Sequence, residues 1–136
     1  MSVLELNGRV FDASTTGTLT LTGEGGAATT DVTQGLVKLW TSINMATPAI
    51  LDSFNASSMT DEATGAARSN FNNNMGNTIY NTTAASIHIS GTGWDSSATV
   101  GYDTKTTSSI SLRTTNGSDA LADSVYANTA VHGDLA

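Results

Sequence analysis

The chain has 136 residues, a formal charge of −7 from 12 acidic and five basic residues, and no cysteine. Thr (23), Ser (16), Gly (13) and Asn (11) together fill 63 positions, and charged residues fall to 12% against a usual quarter. Disulfides, thiolate metal sites and a cysteine nucleophile are excluded. The scattered Arg9, Lys38, Arg68, Lys105 and Arg113 give neither the footprint of a nucleic-acid binder nor a patch for an anionic membrane.

Val3, Leu4 and Leu6 lead into Asn7-Gly8, a strong hairpin signal, with Val10 and Phe11 beyond it. In Thr16-Gly17-Thr18-Leu19-Thr20-Leu21-Thr22-Gly23, Leu19 and Leu21 fall on one face and the threonines on the other, a strand period. Residues 23–30, with three glycines and no large side chain, read as a flexible joint. An N-terminal arm over residues 1–35 is thereby set apart from a domain over 36–136.

Residues 36–44 satisfy two patterns. Leu36, Leu39, Trp40 and Ile43 make a helical stripe that Asp31 could cap, while Val37, Leu39, Thr41 and Ile43 alternate as in a strand. Over 60–80 a four-residue recurrence of Ala63, Ala67, Phe71, Met75 and Ile79 competes with Gly65, Gly76 and Asn72-Asn73-Asn74, which suit no helix interior. Strand, loop, strand is the expectation, with the turn at 72–77 and Ala67, Ser69 and Phe71 before it. Alternating segments follow at 86–90, 97–102, 109–113 and 124–131, separated by turn clusters.

Thr is stiff at its first torsion and packs well on a pleated surface, whereas Ser and Asn compete with helical backbone bonds. With 38% hydrophobic residues and spaced aromatic anchors the chain is unlike a disordered one. The expected fold is all-β: a single small β-sandwich or jelly-roll-like domain preceded by an extended arm. So many small residues bury little area, which predicts that subunit contacts complete the core. The start lacks the basic and apolar stretches of a secretion signal, and no run is long enough to span a bilayer, so a soluble chain made in the cytoplasm is expected.

Chemistry is sparse. His88, inside Ile87-His88-Ile89, and His132 are the two available bases, and neither accompanies a nucleophile-elbow motif. Asp61, Glu62, Asp95, Asp103, Asp119 and Asp123 read as turn and cap residues, and Asn116, Asp119 and Asp123 match no calcium-loop spacing. No enzyme, cofactor or metal is predicted. The triplets at Asn55, Asn81 and Asn116 fit the glycosylation pattern at the frequency that 39 Ser and Thr produce by chance. A sugar site is conceivable where Trp94-Asp95 and Tyr102-Asp103 stand on neighbouring loops; a core plug or subunit contact is the plainer reading of Trp94.

Several blocks carry a family likeness. Lys38-Leu39-Trp40-Thr41-Ser42-Ile43-Asn44, Asp52-Ser53-Phe54-Asn55-Ala56-Ser57-Ser58-Met59-Thr60-Asp61, Thr64-Gly65, Asn70-Phe71 and Asn77-x-x-Tyr80 resemble a family of tailed-phage proteins, common among marine phages and described as virion structural or fibre-like. Met1-Ser2-Val3-Leu4, Gly17-Thr18-Leu19-Thr20-Leu21-Thr22-Gly23, Thr107-Ser108-Ser109-Ile110-Ser111-Leu112-Arg113-Thr114 and the closing Val125-Tyr126-x-x-x-Ala130-Val131-His132-Gly133 extend it over most of the chain. Asp61-Glu62-Ala63-Thr64-Gly65 departs from the family's Asp-Asn-Gly-x-Gly turn, and Ala67 and Ser69 replace bulkier strand residues.

The resemblance implies an all-β virion-surface protein, homotrimeric, with 36–44 a strand. Its implied partners are other virion proteins of capsid or tail and copies of itself. As a capsid decoration or head fibre it would attach through Val3, Leu4, Leu6, Val10, Phe11, Leu19 and Leu21. As a tail-fibre tip it would meet a host glycan through Trp94, Asp95, Tyr102 and Asp103.

Overall fold

A computed structural model describes residues 3–6, 9–12, 20–22, 29–87, 89–90, 93–94, 97–99 and 104–136. The fold is all-β, as the composition predicts, with a single helical turn among the described residues. The chain divides into two units, Met1–Leu36 and Val37–Ala136.

In the first unit β1 (Val3–Leu6) and β2 (Arg9–Asp12) pair antiparallel with Leu6 opposite Arg9, the register of a two-residue hairpin at Asn7-Gly8. β3 (Thr20–Thr22) pairs with β4 (Thr29–Asp31), Thr22 opposite Thr29. Thr29 and Thr30 are therefore strand residues, not part of a joint; their branched side chains suit a pleated ladder. Residues 23–28 and Leu19 lie outside the described residues. A turn of helix, α1 (Val32–Gly35), does follow Asp31, but it stops after Leu36 N–H reaches Val32 O at 3.1 Å.

The second unit runs β5 (Leu39–Asn44), β6 (Ala49–Phe54), β7 (Ala56–Ala63), β8 (Ala66–Phe71), β9 (Asn81–Ile87), β10 (Ile89–Ser90), β11 (Gly93–Trp94), β12 (Ser97–Thr99), β13 (Ser109–Thr115) and β14 (Tyr126–His132). Two four-stranded antiparallel sheets result, ordered β6-β5-β14-β9 and β12-β13-β8-β7, with β10 and β11 forming a ribbon of their own. The 36–44 ambiguity resolves as a strand because Leu39, Thr41 and Ile43 are buried while Trp40, Ser42 and Asn44 are half-buried. That is the period-two signature of one face against a core.

The sheets face each other across two apolar clusters. Leu39 and Val131 meet Phe71, Met75, Tyr80 and Ile110 in one; Ile43, Met45 and Ala127 meet Ala67 and Leu112 in the other. Between them lies a belt of buried hydroxyls, Thr41, Ser69 and Thr129, with Thr41 Oγ1 and Ser69 Oγ 3.4 Å apart. Ala67 and Ser69 are fully buried. Small residues there let β8 approach the facing β5 closely.

Strand, loop, strand holds in order, with β8 and β9 flanking a loop that runs on from the expected turn at 72–77 to residue 80 and returns Met75 and Tyr80 to the core. Burial there rewards an aromatic anchor at the loop's end, which a strand period does not describe. The segment expected at 86–90 falls on the end of β9 and on β10, which pair in different sheets.

Asn55 turns the chain from one sheet to the other with φ +61°. Its Nδ2 donates to Lys38 O (2.9 Å) and Asn73 O (3.1 Å), and its Oδ1 accepts from Asn73 N (2.7 Å). Asn tolerates the left-handed region when its side chain bonds locally. A role in this corner explains the residue without reference to a sugar attached at Nδ2.

Candidate binding face

The two sheets present opposite chemistry to their surroundings. On the outer face of β12-β13-β8-β7 the polar groups bond one another: Asn70 Nδ2 donates to Ser58 Oγ (3.0 Å) and Thr60 Oγ1 (3.2 Å), and Ser111 Oγ to Glu62 Oε2 (2.8 Å). Arg68 pairs with Glu62 and points Nε at Ser111 Oγ, 3.4 Å away. Across β13, β8 and β7 these side chains satisfy one another.

The outer face of β6-β5-β14-β9 is built otherwise. Registers align Phe54, Trp40, Ala130 and Thr83 in one row and Asp52, Ser42, Asn128 and Ala85 in the next. Paired residues on neighbouring strands share a face, so Trp40 and Phe54 stand side by side outward, Phe54 being 53% exposed. Beside them lies a shallow depression of about 360 Å³ lined by Trp40, Ser42, Thr83, Ala85, Asn128 and Ala130. Tyr126, 45% exposed, stands at the far end of β14. Asp52 is the one carboxylate in these four strands, which carry neither Lys nor Arg.

The residues singled out from sequence fall elsewhere. Val3, Leu4 and Leu6 lie on β1, Val10 and Phe11 on β2 and Leu21 on β3. Trp94 is on β11, opposite Ile89. His88, Asp95, Tyr102 and Asp103 lie outside the described residues, as does Leu19. His132 closes β14 opposite Asn81. Asn116 Oδ1 accepts the Ser118 and Ala120 amides (3.0 and 3.1 Å), and Asp123 Oδ1 the Gly65 amide (2.6 Å), so both have structural tasks in turns. Among the described residues no three His, Cys, Asp or Glu side chains gather as metal ligands, and no helix is long and apolar enough to cross a membrane.

The aromatic pair was legible in one respect. Trp40 lies on the outward beat of the same alternation that buries Leu39, Thr41 and Ile43, so a strand reading already turns it away from the core. Phe54 gave no such signal, because β6 is short, bulged and mostly exposed.

Burial pushes the Tyr80 hydroxyl up from 10.0 to about 12. It donates to Thr106 O and Ser109 O, each at 3.0 Å, and Lys105 Nζ lies 5.1 Å from the ring centre while donating to Tyr80 O at 2.9 Å. These contacts fasten the loop to the core and belong to no site.

Set against known protein families, characterised proteins and solved structures, the chain matches none.

Proposed function

We propose that the chain is a non-enzymatic structural protein of a bacteriophage virion, displayed on the particle as a capsid decoration or head fibre. What carries this reading is where the phage-like blocks fall: they coincide with the framework of the sandwich. Leu39, Phe71, Tyr80, Ile110 and Val131, each from a different block, pack into one core cluster, and Asn55 of another makes the corner between sheets. The likeness thus concerns residues that determine a fold, which lends it more weight than shared polar composition would.

Within that reading, residues 1–35 attach the protein, their hairpins offering strand edges for pairing with a neighbouring chain, and the sandwich stands outward. Assembly into a homotrimer is supported by apolar side chains left open by the single chain, Ile79 (91% exposed), Leu121 and Leu135 among them. The test is particle binding. The full chain should associate with virions that lack it, and deleting residues 1–30 should abolish association while leaving the sandwich folded. Retained binding after that deletion, or light scattering that gives a monomer, would count against the arm and the trimer respectively.

A further inference from the structure

The charge-poor outer face of β6-β5-β14-β9 supports an inference that does not depend on the chain's being a virion protein. We propose that this face binds a neutral oligosaccharide, with Trp40 and Phe54 as the stacking platform, the depression beside them as an apolar floor, and Ser42, Asp52, Thr83 and Asn128 as the hydrogen-bonding groups on the surrounding face.

Shape and chemistry agree. The C–H face of a pyranose is apolar and flat while its hydroxyls project from the rim, so it suits aromatic rings flanked by a few polar groups. Trp40 and Phe54 occupy directly paired positions on adjacent strands, where side chains lie about 5 Å apart at their bases. Ala85 and Ala130 beside them keep the depression open. Its volume of about 360 Å³ is at the lower end of small-ligand sites, roughly 300–1,000 Å³, and fits a short saccharide segment.

Charge selects the ligand class. The opposing sheet holds Asp61, Glu62, Arg68 and Arg113, and the whole chain carries −7, yet of Asp, Glu, Lys and Arg these four strands hold only Asp52, with His132 at the end of β14. An anionic ligand would find no Lys or Arg on the strands, and a cationic one a single carboxylate. One carboxylate among neutral amide and hydroxyl groups matches a ligand with many hydroxyls and no charge.

The experiment is calorimetric titration of the full chain with neutral oligomers of glucose, mannose, galactose and N-acetylglucosamine, repeated on Trp40→Ala, Phe54→Ala and Trp94→Ala. At least one oligomer should bind, Trp40→Ala should weaken it about tenfold or more, Phe54→Ala should weaken it by a smaller factor, and Trp94→Ala should leave it unchanged. Phe54 is exposed, so its variant reports on the site even where Trp40→Ala folds poorly. No binding by the wild type at millimolar concentration would overturn the proposal, as would undiminished binding by Phe54→Ala. Light scattering that shows a wild-type oligomer of any order split by Phe54→Ala would overturn it in favour of a contact between copies.

Discussion

Gly65 N–H donates to Asp123 Oδ1 over 2.6 Å, joining the β7–β8 turn to a segment 58 residues further along the chain. Gly65 O in turn accepts Thr114 N–H at 2.8 Å, and Thr114 Oγ1 donates to Ala122 O at 2.5 Å. The turn is therefore locked from both sides. Gly65 has φ +67°, and a Cβ there would lie 2.6 Å from Thr114 O and 2.7 Å from Ala122 N. Both obstacles are backbone and cannot swing aside. Gly65→Ala should destabilise the protein by on the order of 3 kcal/mol, combining left-handed strain with the clash. An unchanged urea midpoint would refute it.

Asp123→Ala tests the same lock without adding bulk. Removing a charged acceptor from a backbone amide typically costs about 1.5–3 kcal/mol, and the loss should appear in chemical denaturation with the slope unchanged. Because the two residues share one interaction, Gly65→Ala and Asp123→Ala should cost less together than the sum of the singles. Strict additivity would show that Gly65→Ala leaves the bond to Asp123 intact.

Tyr80 sets an alkaline limit. Its folded pKa of about 12 stands above the ordinary 10.0, so the neutral phenol is favoured in the fold. The stability this supplies is complete below pH 10 and is lost as pH rises from 10 towards 12, where the unfolded chain ionises first. Tyr80→Phe should cost about 1–2 kcal/mol at neutral pH through its lost hydrogen bonds and should flatten the decline between pH 10 and 12. Parallel alkaline limbs for both proteins would contradict this.

Thr129 lies in the hydroxyl belt with its Oγ1 buried and without a hydrogen-bond partner, as do Ser86 Oγ and Ser124 Oγ. A hydroxyl desolvated without compensation costs about 1–3 kcal/mol, and valine has nearly the same shape and the same strand preference. Thr129→Val should raise stability by about 1 kcal/mol, read as a higher melting temperature. A lower one would mean that the hydroxyl is satisfied in solution.

Asn55 offers a two-step test of the sheet corner. Asn55→Gly keeps the left-handed backbone accessible but removes the bonds to Lys38 and Asn73, and should cost about 1–2 kcal/mol. Asn55→Ala loses those bonds and adds about 1 kcal/mol or more of backbone strain. Thermal unfolding should rank wild type, glycine and alanine in that order; equal melting for the two variants would remove the strain argument.

The sheet-forming character was readable because it rests on summed local chemistry. Val37, Leu39, Thr41 and Ile43 already showed the period that the core imposes, and Asn7-Gly8 marked a hairpin whose register is set within four residues. Where contacts are distant the sequence was mute. Ser111 looks like any surface serine until Arg68 and Glu62 cover it, and Gly65 looks like an ordinary turn glycine until Asp123 arrives. The outer face beside Trp40 depends on registers among β5, β6, β9 and β14, elements spread from Leu39 to His132, so no window of sequence contains it. The segments at Trp94 and Tyr102 stand out in the sequence for the opposite reason: their aromatic and acidic residues are adjacent in the chain.

The irregular registers have a bearing on how molecules of this kind can pack. Both bounding strands on one flank depart from regular pairing, β6 around Leu51 and β7 at each of its ends. An interrupted ladder presents its amides and carbonyls out of step, so an incoming chain cannot continue it. That flank resists lateral growth by strand addition.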